Sequence, residues 1–269
     1  MSARIAVMTS AVDGWSLSRF ARELVALSVT GIEPTVGPDG ALLQDDVPAA
    51  MRARDLLEAS GLQVCCAAAT YTTPLGHPAL RGTIEVAVAL RAPALRVFAA
   101  AYRPDRALEG QLEDACTDLR ELHAEAAGEL VVLIEPARGT VVAAHARAGE
   151  LARRSSTGVV FDPGSLVGEP ERPPALALAE LDGLVRHVHV KNRDAAGCGG
   201  AAQARELGDG RVDWPEALRC LASSGYSGWL SIDHLSASPS TAVLRRDVAA
   251  LRRLIAVSAE HSNGGAHDG

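Results

Sequence analysis

The chain has 269 residues, 48% hydrophobic and 22% charged, a balance that fits a soluble globular protein with a sizeable core and excludes a disordered one. Length allows one large domain or two small ones, because α/β barrels reach about 250 residues as a single unit. The formal net charge of −7 excludes a broad nucleic-acid footprint, and no apolar run approaches the ~20 residues that span a bilayer.

The N-terminus lacks the charged segment and apolar run of a secretory signal, so a cytoplasmic location is expected. Arg4-Ile-Ala-Val-Met8 reads as a first strand. A helix should follow from Leu17 to Leu27, with Leu17, Phe20, Leu24 and Leu27 on one face. Ile32 and Glu33 form a second short strand, ahead of a helix through Met51, Leu56 and Leu57. Gly61-Leu-Gln-Val-Cys-Cys66 begins a third strand, and Thr83 to Leu90 a third helix. A strand would point the adjacent Cys65 and Cys66 to opposite faces, which is a poor metal clamp, so both are read as core packing. The five cysteines show no framework spacing, and they indicate reduced thiols. Leu95-Arg-Val-Phe98 is a fourth strand, with a long helix from about Leu108 to Ala126.

The rhythm continues through Leu130–Glu135, a helix from Val141 to Arg153, Gly158–Asp162, and a helix around Ala175 to Leu181. Then come Val185–Lys191, a helix from Pro215 to Leu221, Trp229–Asp233, and a closing helix from Thr241 to Val257. Eight strand–helix pairs without a linker predict a single (β/α)8 barrel, a TIM barrel of the α/β class, over residues 1–258. A doubly wound open sheet would more naturally carry G-x-G-x-x-G after its first strand, and Met8-Thr-Ser-Ala-Val-Asp-Gly14 lacks it. Residues 259–269 read as a disordered polar tail. The stretch from Asn192 to Val212, containing Gly197, Gly199 and Gly200, is long for a βα connection and is a candidate lid.

Barrel enzymes gather their active groups at the C-terminal ends of the strands. Strand five ends in Glu135, strand six in Asp162 and strand eight in Asp233, while strand seven carries His187 and His189 ahead of Lys191, the sole lysine. Alternation puts His187, His189 and Lys191 on one face. Three carboxylates converging at one mouth repel one another and require a compensating positive charge, either a metal or protonation. Carboxylates with an imidazole suit one divalent ion such as Mn²⁺, Mg²⁺, Co²⁺ or Zn²⁺. Each group also has a plainer reading: Asp162, before Pro-Gly-Ser, could cap the next turn, and a strand histidine could be a hydrogen-bonded core residue. His77, His123 and His145 lack such context and are read as surface or helix residues.

With these residues in view, the chain resembles the xylose isomerase-like barrels grouped as sugar phosphate isomerases and epimerases. Ketose 3-epimerases, hydroxypyruvate isomerase and inosose dehydratase belong to that group. The resemblance is carried by Val131-Val-Leu-Ile-Glu135, Gly158-Val-Val-Phe-Asp162-Pro-Gly164, His187-Val-His-Val-Lys191, Leu207-Gly-Asp-Gly-Arg-Val-Asp-Trp214 and Gly225-Tyr-Ser-Gly-Trp-Leu-Ser-Ile-Asp233. It implies metal ligation by Glu135, Asp162, His189 and Asp233, with Glu135 and Asp233 also moving substrate protons. Asp233 stands where such enzymes have Glu, and Ser165 where a His often follows the strand-six Asp.

The implied chemistry is isomerisation or epimerisation of a small hydroxy-ketone through an enediolate, and dehydration of the inosose dehydratase type is the alternative. His187, Lys191 and Arg138 are candidate substrate contacts, Lys191 because its ammonium is a mobile point charge. Trp15, Glu33, Tyr71 and Arg103 are unranked specificity candidates in the first four loops. The expected partner is a small-molecule substrate, with no nucleic acid and no membrane, and a homo-oligomer is allowed. An apurinic-site endonuclease of the same fold would need a histidine-rich three-zinc site and a basic face, which this sequence lacks. A barrel repurposed for binding or for secondary metabolism is the remaining rival.

Overall fold

The strands of the computed structural model form eight staves: β1 (Arg4–Met8), β2 (Gly31–Glu33, continued by Thr35–Val36), β3 (Gln63–Val64, continued by Ala67–Ala69), β4 (Ala94–Phe98), β5 (Val131–Glu135), β6 (Gly158–Phe161), β7 (Val185–Val190) and β8 (Trp229–Ile232). The described residues are 3–12, 14–71, 77–126, 128–167, 173–194, 203–233 and 239–264, with side chains as far as Ser258. Every stave pairs in parallel with the next, and β1 lies between β2 and β8. The first segment of β2 pairs with β3 at Gly31–Gln63 and the second at Thr35–Ala68, so the ring closes. Pro34 divides β2 because it has no N–H to donate to the ladder. The expected (β/α)8 barrel is therefore the observed fold.

Period-two alternation sorts the strand residues into two cores. Val7, Ile32, Leu95, Val97, Val132, Ile134, Phe161, Val188 and Ile232 point outward into the main apolar layer under the helices. Ala6, Ala94, Leu133, Val160 and Trp229 fill the lumen. Cys65 and Cys66 both join the lumen cluster, contrary to the opposite faces expected of a continuous strand, because β3 breaks between Val64 and Ala67. Their role as buried packing residues stands.

Around the ring run α1 (Leu17–Ala26), α2 (Val47–Ala59), α3 (Pro78–Ala89), α4 (Leu108–Glu125), α5 (His145–Ser155), α6 (Pro174–Glu180), α7 (Trp214–Ser223) and α8 (Thr241–Gly264). Ser16, Asp46 and Asp213 cap α1, α2 and α7 by accepting backbone N–H bonds, and prolines open α2, α3, α6 and α7. The fifth helix starts at His145 rather than Val141, because Val141 is drawn into a turn where its N–H donates to the Ala100 carbonyl at 3.0 Å. The closing helix continues past Val257 as far as Gly264, so residues 259–264 of the expected polar tail are helical. No proline or glycine interrupts that run before Gly264 itself, and residues 265–269 lie outside the described residues. No helix among the described residues is long and apolar enough to cross a membrane.

In the stretch expected to form a lid, Asn192–Arg193 pairs antiparallel with Ala204–Arg205. Gly197, Gly199 and Gly200 lie outside the described residues. Asn192 braces the return of the chain: its side-chain amide donates to the Leu207 carbonyl at 2.8 Å, and its Oδ1 accepts from the Val212 N–H at 2.9 Å.

At the base of the lumen the Trp229 indole lies against Gly31, where a Cβ would sit 2.4 Å from a ring carbon, and the Arg4 guanidinium stacks 4.1 Å from the ring. Gly31→Ala should therefore destabilise the fold by about 1–3 kcal/mol through overpacking, read as a lower urea midpoint. Asp247 of α8 is buried, with its Oδ1 3.5 Å from the Leu207 N–H, and burial pushes its pKa up to about 6. A free Asp titrates near 4, so the folded state holds this proton more tightly and stability falls as pH rises from about 4 through 6. Asp247→Asn should abolish that fall, melting higher than the parent at pH 7.5 but not at pH 4 in calorimetry.

Candidate metal and acid–base site

Six buried or nearly buried charged and imidazole groups meet at the C-terminal end of the barrel. β7 supplies His189, and the chain just past it supplies Lys191. β5 ends in Glu135, Asp162 follows β6, Asp233 follows β8, and Glu33 ends the first segment of β2. Arg96 projects from the middle of β4 and is also buried.

Glu33 receives both strand histidines. His187 Nε2 lies 2.8 Å from one of its oxygens, and His189 Nε2 lies 3.0 Å from the other. The shared partner shows that the two imidazoles occupy one face, as alternation requires. A hydrogen bond from Nε2–H to Glu33 presents Nδ1 of His189 to the opposite side, the arrangement by which a second carboxylate orients a metal-ligating histidine. On that side Nδ1 stands 3.3 Å from Glu135 Oε2 and 3.8 Å from Asp162 Oδ2. Arg96 Nε approaches Glu135 Oε2 at 3.0 Å, while its Nη1 donates to the Ala69 carbonyl at 2.7 Å.

Asp162 caps the turn that its sequence context suggested and turns its second oxygen toward the other charged groups. Its Oδ1 accepts the Ser165 N–H at 2.9 Å and caps the turn Pro163–Leu166, while its Oδ2 faces the site. The Ser165 hydroxyl lies 2.8 Å from Asp162 Oδ2 and 3.3 Å from Glu135 Oε1, tying the two acids together. Lys191 Nζ stands 2.6 Å from Asp162 Oδ2 and also contacts Asp233 Oδ2.

Burial raises the pKa of every carboxylate here, and the local cations decide which ones stay ionised. For Glu135 burial is outweighed by His189, Arg96 and Lys191, which hold it well below the usual range. Glu33 is likewise held low against burial by His189 and His187. For Asp162 burial wins over Lys191, with the nearby charges of Glu135 and Asp233 adding to it, and the carboxyl is pushed up to about 6. Burial also works against the ammonium of Lys191, but Asp162, Asp233 and Glu135 overcome it and keep the group charged.

A divalent ion fits this site by geometry and by charge. Glu135, Asp162 and His189 each offer one ligand atom, all within 4.8 Å of one another. Two of the buried atoms there, Glu135 Oε2 and His189 Nδ1, make no aligned hydrogen bond despite their close neighbours. Four carboxylates (Glu33, Glu135, Asp162, Asp233) face two permanent cations (Arg96, Lys191); burial works against the His189 imidazolium, but Glu33 and Glu135 overcome it and push its pKa well up, so that a dication would take the place of the imidazole proton. A mixed set of carboxylate oxygens and one imidazole suits Mn²⁺, Mg²⁺, Co²⁺ or Zn²⁺.

Three of the four expected ligands come together, and Asp233 contacts Lys191 beside them. Of the expected substrate contacts, His187 is buried against Glu33, Lys191 is enclosed between the two aspartates, and Arg138 donates to the Val167 carbonyl at 3.3 Å. Among the unranked candidates Glu33 proves central. Arg103 is exposed and paired with Asp105, and Trp15 stacks with Arg19. Arg96 was not singled out by the sequence at all; an arginine between apolar residues at an inward strand position was the available signal. A cleft of about 530 Å³ is lined by Pro163, Leu166 and His145, and none of Glu33, Glu135, Asp162 or Asp233 lines it.

Known proteins share this architecture. No curated protein sequence matches significantly, but many solved structures have the same fold. L-ribulose 3-epimerase superposes with a TM-score of 0.77 at 16% identity over 99% of both chains. The 3-keto-D-glucoside 4-epimerase of E. coli, in its apo form, gives 0.72 at 18% identity over 93% of this chain and 99% of its own. A xylose isomerase-like TIM barrel protein from Mycobacterium smegmatis in complex with magnesium gives 0.72 at 17% identity over 96% and 98%. At these identities the likeness establishes the fold alone. The model of the xylose isomerase-like TIM barrel family matches residues 21–254, and the chain belongs to that family.

Proposed function

We propose that the protein is a divalent-metal-dependent isomerase or epimerase of a small hydroxy-ketone derived from a sugar or polyol, working through an enediolate. The observation that carries this reading is the convergence of Glu135 Oε2 and His189 Nδ1, both buried without an aligned hydrogen bond, beside Asp162. Two of the structurally similar proteins are sugar epimerases, and a third holds magnesium. These likenesses support the reading without carrying it.

When bound, the dication would polarise a carbonyl and a neighbouring hydroxyl and so stabilise enediolate charge. The protein supplies the proton transfers. Glu135, whose Oε2 the Arg96 guanidinium approaches at 3.0 Å, is the base for the carbon between those two oxygens. Glu33 holds His189 in the orientation that presents Nδ1. Asp233, on the other side of Lys191 from Asp162, is the second acid–base group. Use of both acids on opposite faces gives epimerisation; use of Glu135 alone, moving a proton between adjacent carbons, gives aldose–ketose isomerisation.

The purified protein should contain or bind about one divalent ion per chain, measured by elemental analysis, and fail to do so only if the reading is wrong. A panel of keto-sugars, inososes and hydroxypyruvate with Mn²⁺, Mg²⁺, Co²⁺ and Zn²⁺ identifies the substrate class. Asp162→Asn retains an oxygen for the Ser165 N–H cap yet removes the ligand charge, so the fold should persist while metal affinity falls by more than the ~10-fold that loss of an outer-shell partner costs. Glu135→Gln should abolish deuterium incorporation from solvent into substrate with the circular dichroism spectrum unchanged; persistent exchange would assign the base elsewhere.

A further inference from the structure

We propose that Lys191 is a resident cation that competes with the divalent ion for Asp162 and Asp233, and thereby sets how tightly the site holds metal. The proposal rests on the metal-binding reading above and goes beyond it, because it assigns the strength of binding to one residue of this chain.

Lys191 is fixed where it competes. Its backbone carbonyl accepts the Trp214 indole N–H at 3.0 Å, and its side chain passes across Gly164, where a Cβ would lie 2.5 Å from Lys191 Cγ. That route ends with Nζ 2.6 Å from Asp162 Oδ2, the same oxygen that lies 3.8 Å from His189 Nδ1. An ion bound by Glu135, Asp162 and His189 must share or take over this oxygen. Asp233 contacts the same ammonium, so the carboxylate next to the three-ligand cluster is also engaged by it. A unit charge and a dication brought within a few ångströms in a buried site repel strongly. The ammonium also compensates the aspartates when no metal is bound, since breaking a buried pair leaves an uncompensated charge.

The test is Mn²⁺ binding by titration calorimetry, with thermal melting of metal-free and Mn²⁺-loaded protein, for the parent and for Lys191→Met. The variant should bind Mn²⁺ about tenfold more tightly or better. Its metal-free form should melt well below the parent and recover when Mn²⁺ is added. Binding by the variant alone, with none by the parent, supports the competition and removes the metal-dependent activity proposed above. Equal affinity in parent and variant overturns the proposal and leaves the metal site standing, whereas no binding by either removes both. Lys191→Gln, which preserves length and polarity without charge, serves as the second variant. Failure of both variants to fold even in Mn²⁺ would also overturn the proposal, because a competing cation should be replaceable by the metal.

Discussion

Four carboxylates in one barrel mouth impose the constraint around which the rest of this structure is arranged. Each resists burial in its ionised form, and each repels the others, so the mouth is stable only where every charge has a partner. Arg96 meets Glu135, Lys191 bridges Asp162 and Asp233, and the two histidines of β7 meet Glu33. The pairing is incomplete at one corner. There His189 Nδ1 faces Glu135 Oε2 at 3.3 Å without an aligned hydrogen bond, and a dication would take the place of the imidazole proton.

The barrel provides this arrangement through its alternation. Outward residues of every stave join the layer under the helices, which frees the inward positions to carry polar groups near the mouth above a packed apolar base. Trp229 and the side chains around it close the lower lumen, and the charged groups occupy the strand ends. Local sequence then refines each position. Asp-Pro-Gly-Ser after β6 folds into a capped turn that fixes Asp162, and the absence of a Cβ at Gly164 admits the Lys191 side chain. The return of the chain, braced by Asn192 and Trp214, holds the end of β7 in place.

The chemistry follows from the inequality among the acids. Glu135 remains a carboxylate, Asp162 is shared between a turn and the site, and Asp233 is engaged by the ammonium. A shorter acid at the end of β8, where the resemblance leads one to expect Glu, is thus accompanied by a cation close enough to hold it. On the metal-binding reading proposed above, Glu135, Asp162 and His189 are the ligand set, and Lys191 stands against Asp162 at its edge.

The fold was legible in the sequence, because β-branched runs and amphipathic stretches alternate eight times and local periodicity dictates which faces are apolar. The strand-end positions of Glu135, Asp162, His189 and Asp233 were legible for the same reason, as was the shared face of His187 and His189. Cys65 and Cys66 show the limit of that logic: alternation assumes an unbroken strand, and β3 breaks where they stand. Glu33 could not be ranked, since its partner His189 lies 156 residues away and only barrel closure brings the two strands together, while Arg96 meets Glu135 through the pairing of β4 with β5. The division of roles between Lys191 and Asp233 was likewise decided by tertiary structure. Sequence determines which charges a strand end carries, but which charge neutralises which depends on distances across the ring.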